Sequence, residues 1–285
     1  MTDISTLLVV PKVEYCNANC KFCITHNIYD IEGFESIEEQ PINLKKLEAV
    51  VKFAMRIGII DANLTGGTEP TLADPEMVGN VTQLLSEYFG RVNMYTNGAR
   101  LLNEVDGSKT LVKHLADSGL TNVTISRAHN DDIKNSSLMR LPQYDLEGTM
   151  EAILRNELDP KLSCLLSKEG VSSDEDIINY IEAVKALGGR KVIFRELLSV
   201  NDDSEYGKWA NTNYTSVTNV SKLMERLGVP QFRGLWQQII WDYKGTAVTI
   251  WPDGSRKDTI NKGDLIYMPD NHLYSSWIHR SSRIM

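Results

Sequence analysis

The chain has 285 residues, of which 42% are hydrophobic and 24% charged, and a formal net charge of −8. This composition suits a folded globule with a sizeable core and excludes a disordered polyelectrolyte. The acidic balance argues against a general nucleic-acid binder, and no apolar run is long enough to predict a helical membrane span.

Residues 6–13 (TLLVVPKV) predict a first strand, with Pro11 near its end. The stretch before them has no basic region or small-residue cleavage site, so a cytoplasmic protein without a signal peptide is expected. Directly after the strand comes CNANCKFC, which places Cys16, Cys20 and Cys23 in a C-x3-C-x2-C loop. Three of the four cysteines sit in this loop, which points to metal ligation in a reducing compartment rather than to disulfides. Residues 24–42 are polar and acidic and read as a loop. Residues 43–57 have helical spacing, with Asn43 as cap and Gly58 as stop. Residues 59–64 are the next strand, ending in Gly66-Gly67-Thr68-Glu69-Pro70. A helix over 75–88 follows, capped by Asp74 with Pro75 in its first turn.

The alternation continues through a strand at 91–95, a helix at 108–118, a strand at 121–126 and a helical stretch at 145–156. A strand at 161–167, a helix at 173–187 and a strand at 190–196 complete it. Strands and helices alternating at these lengths predict an α/β fold with a parallel sheet. Six such units fit a partial (β/α)6 barrel, with a doubly wound open sheet as the competing architecture. Beyond residue 197 the pattern breaks. Residues 201–214 look irregular and 215–227 helical. Two antiparallel hairpins are then expected, over 236–251 and 265–277, with a turn at 252–255. The expected division is a core over 1–198 and a small C-terminal β appendix over 199–285. Its aromatic residues, Trp209, Trp236, Trp241, Tyr243, Trp251 and Trp277, would pack against the barrel or offer a peptide-binding edge or a dimer face.

Three thiolates can hold three irons of a four-iron cube and leave the fourth open for chemistry. Cys16, Cys20, Cys23 and His26 also have the make-up of a zinc site, which would make the chain a non-catalytic metal protein. A fully ligated electron-carrying cluster would want a fourth cysteine nearby, and Cys164 lies mid-strand, where it reads as a buried apolar residue.

The pair of signatures, CNANCKFC after a first strand and GGTEP after a second, resembles the radical S-adenosylmethionine superfamily across residues 6–196. The resemblance implies a TIM-like partial barrel in which Cys16, Cys20 and Cys23 ligate a [4Fe-4S] cluster whose open iron binds S-adenosylmethionine. Reductive cleavage would yield a 5′-deoxyadenosyl radical that abstracts hydrogen from a substrate carbon. It further implies that Phe22 flanks the adenine and that Gly66, Gly67, Thr68 and Glu69 meet the methionine moiety. By position at the strand ends, Asn97, Ser126 and Arg195 are expected on the cofactor's ribose or carboxylate. Arg127 and His129 are the candidate catalytic residues, as substrate ligand and proton acceptor. The chain has no cysteine after Cys164, so a single cluster is expected. A flavodoxin- or ferredoxin-type reductant is the expected partner. The expected substrate is a small polar metabolite or nucleotide, with a peptide as the alternative.

Overall fold

The computed structural model describes residues 6–25, 39–198, 203–233, 238–250, 264–277 and 280–285. His26, Trp236, Trp251, His279 and the turn expected at 252–255 lie outside these residues. In the strands, side chains alternate between two faces, as the pleat requires. Leu7 and Val9 of β1 (Thr6–Val9), Ala62 and Leu64 of β2 (Asp61–Leu64), and Val92 and Met94 of β3 (Arg91–Thr96) are fully buried on one face. The same face continues through β4 (Asn122–Ser126), β5 (Asp159–Leu165) and β6 (Lys191–Arg195). The helices that cover it are amphipathic, so this apolar layer forms the main core.

The predicted helices are present, and their caps explain their boundaries. They are α1 (Leu44–Arg56), α2 (Pro75–Tyr88) and α3 (Leu111–Asp117). Asn43 Oδ1 accepts from Lys45 N and Lys46 N, and Asp74 Oδ2 accepts from Met77 N. Two helices were not expected. One is α4 (Asp132–Met139), which is followed by the predicted α5 (Leu146–Arg155) and α6 (Asp174–Ala186). The other is α7 (Glu205–Asn213), in the stretch read as irregular, followed by α8 (Thr218–Arg226). Ser173 and Asp176 form a reciprocal capping box on α6.

Each strand from β1 to β6 pairs in parallel with the next, as six βα units require. The C-terminal strands are β7 (Gln231–Arg233), β8 (Ile239–Tyr243), β9 (Thr246–Ile250), β10 (Asp264–Tyr267) and β11 (Leu273–Tyr274). They form antiparallel hairpins as expected, but the hairpins separate to opposite edges of the sheet. Strand β9 adds in parallel to β6, and β10 adds in parallel to β1. Among the described residues the order is therefore β11-β10-β1-β2-β3-β4-β5-β6-β9-β8-β7, a single open sheet in which the end strands β11 and β7 do not pair. It is a partial α/β barrel extended at both margins. Trp241 and Tyr243 are buried in the main core, and Trp277 packs on a smaller cluster containing Leu8, Val10 and Ile266. These aromatic residues therefore serve packing.

Candidate active site

The strand faces turned away from the helices carry polar side chains along β2 to β6. Asn93 Nδ2 donates to Asn63 Oδ1 at 3.1 Å, and Thr124 Oγ1 donates to Asn93 Oδ1 at 2.9 Å. This polar belt crosses three strands of the concave face. Below it lie the ion pairs Asp61–Arg91 and Asp159–Lys191. Above it, the loops at the strand C-terminal ends carry the residues singled out in the sequence.

The cysteine loop leaves β1 and rests on α4. Asn19 N and Lys21 N donate to Met139 O and Leu138 O, at 3.2 and 3.1 Å, one on each side of Cys20. Ala18 N approaches Cys16 Sγ at 3.4 Å. All three cysteines are partly buried. Burial raises the pKa values of Cys16 and Cys20, and the nearby cysteines add to the effect. Three soft donors in one loop, of which Cys16 and Cys20 are disfavoured as thiolates without a compensating cation, match a bound iron–sulfur cluster, whose positive irons would reverse that penalty. Among the described residues no group of three or more His, Cys, Asp and Glu side chains is arranged to hold a single metal ion. Cys164 is fully buried, as expected for an apolar role.

Glu69 has a different part from the one expected. It is 3% exposed, and both carboxylate oxygens accept hydrogen bonds from the protein. Oε1 takes Thr71 N, Thr71 Oγ1 and Thr96 Oγ1, and Oε2 takes Asn97 N at 2.7 Å. Burial pushes its pKa up, and these four donors work against that rise. Glu69 thus ties the GGTEP turn to the end of β3. Asn97 continues the tie: its Nδ2 donates to Asn17 Oδ1 at 2.7 Å and its Oδ1 accepts from Ala99 N. The Asn97 amide reaches the cysteine loop rather than standing open for ribose hydroxyls. Thr68 Oγ1 donates to Lys12 O at 2.9 Å. At Gly66, an added Cβ would lie 2.9 Å from Thr68 O and 3.4 Å from Lys12 O, so the turn has room only for glycine. The two sequence signatures are therefore joined by hydrogen bonds from Lys12 to Asn97.

Arg195 projects into the concave side from β6. Its guanidinium donates to Tyr95 Oη at 3.0 Å and stacks over that ring at 5.3 Å, while its Nε is buried without a hydrogen-bond partner among the described residues. Asp264 faces the same space from β10. Burial lifts its pKa to about 6, partly offset by the Arg195 charge. A carboxyl whose folded pKa lies above its unfolded value, about 4, stabilises the fold through its proton. That contribution is full below the unfolded pKa and is lost as pH rises through about 6. Asp264→Asn should therefore gain in melting temperature relative to the parent as pH rises through this window. A difference independent of pH would show that the carboxyl is well solvated.

Ser126 is partly exposed on the concave face, in register with Ser163, and neither side chain makes a hydrogen bond among the described residues. Phe22 packs against Trp209, with ring centroids 6.3 Å apart. Arg127 and His129 do not share this space. Arg127 is 3% exposed and pairs with Asp132 at the start of α4, with a further bond to Asn130 O. The expectation that Arg127 presents its charge to a substrate is thus corrected: it follows Ser126 by one residue and faces the helix layer. His129 is buried, with Nδ1 accepting from Asp131 N, and burial lowers its pKa. Residues that the sequence did not single out include Asp264, Lys161 and the Asn63–Asn93–Thr124 belt. Their signal was the polar half of each strand's alternation.

The radical SAM superfamily model matches residues 10–156. A probable GTP 3′,8-cyclase of Thermococcus kodakarensis is 32% identical over 149 residues, covering 52% of this chain and 42% of that protein. The chain spans about half the length of the curated relatives it matches. Streptococcus suis SuiB bound to precursor peptide SuiA superposes with TM-score 0.64 at 14% identity, over 95% of this chain and 59% of that one. The AdoMet-bound structure of anSMEcpe gives 0.59 at 17% identity, over 98% and 76%. These two likenesses show the fold. The family match takes in more than half of the chain, which therefore belongs to the radical S-adenosylmethionine superfamily, enzymes that use a [4Fe-4S] cluster and S-adenosylmethionine.

Proposed function

We propose that this enzyme abstracts hydrogen from a small polar metabolite or nucleotide held on the concave face of the sheet. The observation that carries this reading is Lys161. It projects from β5 beside Thr124 of the polar belt and makes no hydrogen bond or ion pair among the described residues. Burial lowers its pKa, so its ammonium is poorly hydrated and gains from an anionic ligand. The hydroxyl of Ser163, two residues along the same face of β5, adds a further donor above it. Phosphate or carboxylate oxygens with a hydroxyl-bearing body would match this set. The relatives named GTP 3′,8-cyclase point the same way.

In this reading Cys16, Cys20 and Cys23 hold the cluster, and Glu69 and Asn97 fix the loops around it. Arg195 and Ser126 orient the carboxylate and ribose of S-adenosylmethionine, and Lys161 anchors the substrate. The cluster and S-adenosylmethionine together supply the 5′-deoxyadenosyl radical that removes hydrogen from carbon. A flavodoxin- or ferredoxin-type donor in the cytoplasm would provide the electron. No described helix is long and apolar enough to cross a membrane.

The test is anaerobic turnover of the reconstituted protein with S-adenosylmethionine and dithionite. GTP, other nucleotides, a dialysed small-molecule extract and a peptide extract would be offered separately. 5′-Deoxyadenosine formation should rise with a nucleotide or with the small-molecule extract. In Lys161→Ala the stimulation should fall by roughly 10–100-fold, the worth of a charged hydrogen bond, while unstimulated cleavage persists. Stimulation by the peptide extract alone would overturn the reading.

A further inference from the structure

We infer that Arg127 is a positioning residue for the cluster, acting through α4 on the two peptide groups that flank Cys20. The chain of contacts is continuous. Arg127, 3% exposed, grips Asp132, the first residue of α4, and Asn130 O just before it. One residue on, Ala128 N donates to the buried side chain of Asn135, in the middle of the same helix, at 2.9 Å. The two residues that follow β4 thus hold α4 at two points. The helix is eight residues long, a rigid strut of roughly 12 Å. Its far end supplies Leu138 O and Met139 O, which accept Lys21 N and Asn19 N. Arg140 then turns the chain away in the left-handed conformation, at φ 46°.

Two consequences follow for a cluster held by Cys20. Amide N–H groups that donate to cluster sulfur raise its reduction potential, because they favour the more negative reduced form. Here Asn19 N and Lys21 N are already committed to α4 carbonyls and are withheld from that role. In addition, the carbonyl end of a helix carries the negative pole of its dipole, and α4 presents that end to the cysteine loop. Both effects keep the potential low, which suits a centre that must deliver an electron to a sulfonium. Arg127 and Asp132 set these conditions without touching the cluster.

Two readouts other than turnover test this. The first is hydrogen exchange of the Asn19 and Lys21 amides in the purified protein. The second is the midpoint potential of the reconstituted cluster, with iron content measured alongside. Asp132→Ala changes an exposed side chain at a helix start and should leave the fold intact. It should speed exchange at Asn19 and Lys21 by roughly tenfold, the loss of about one net hydrogen bond, and move the potential to a more positive value at unchanged iron content. Arg127→Ala should do the same more strongly, and Arg127→Lys should restore most of the loss, since an ammonium still pairs with Asp132. Unchanged exchange and an unchanged potential in Asp132→Ala, with iron retained, would overturn the inference. So would a positive shift in potential without faster exchange, because the effect would then be one of charge alone.

Discussion

Replacing Glu69 by alanine should destabilise the protein by about 2–5 kcal/mol, because two buried backbone N–H groups, of Thr71 and Asn97, lose their acceptor. The hydroxyls of Thr71 and Thr96 can turn to other partners, but the two amides cannot. The charge itself sits at a site that disfavours it, since burial raises the Glu69 pKa, so part of the loss is returned. Glu69→Gln separates the two contributions. It has no charge to bury and still offers one oxygen to the donors that meet at Oε1, but its NH2 group then faces Asn97 N. An intermediate loss is expected, measured by urea unfolding. Both variants should also weaken S-adenosylmethionine binding, because the GGTEP turn and the Asn97–Asn17 link move with Glu69. A Glu69→Ala protein as stable as the parent would mean that water satisfies the abandoned amides.

Cys20→Ala should remove the cluster altogether. The anaerobically reconstituted variant should bind iron at no more than background level and form no detectable 5′-deoxyadenosine. Its apo fold should be nearly as stable as the parent's, because the Cys20 thiol makes no hydrogen bond among the described residues and the loop's backbone bonds to α4 use the neighbouring peptides. Full iron loading with normal cofactor cleavage in this variant would exclude Cys20 as a ligand.

The barrel was legible because its signals are periodic. Caps such as Asn43, Asp74 and Ser173 mark helix starts with the same chemistry in sequence and in structure. The cysteine and GGTEP signatures were legible because each is contiguous. The supports of the cysteine loop were not. Helix α4 reads DIKNSSLM, too short and too polar to show an apolar stripe, and it forms because Asn135 and Asp132 find partners in Ala128 and Arg127, just after β4. Helix α7 contains Gly207 and three residues of low helix propensity, Asn211, Thr212 and Asn213. It is held in place when Trp209 meets Phe22 and Glu169.

Side-chain direction was the other gap. Ser126 and Arg127 are neighbours in sequence, and only the pleat decides that the first faces the concave side and the second the helices. Position at a strand end nominated both Arg195, which projects to the concave side beside Tyr95, and Arg127, which pairs with Asp132 of α4. Lys161 opens a predicted strand and Asp264 lies just before one, and neither stands in a motif; a charged residue in a strand usually faces solvent. In an open barrel the second face is a chamber instead.

The placement of β9 and β10 has a consequence for biogenesis. Strand β1 acquires its outer neighbour from residues 264–267, and β6 acquires its own from residues 246–250. A polypeptide still emerging from the ribosome would hold two bare parallel margins until those segments are made, and such margins invite pairing with other chains. Chaperone dependence during synthesis, and cluster insertion that waits for the finished molecule, are the expected signs of this late closure.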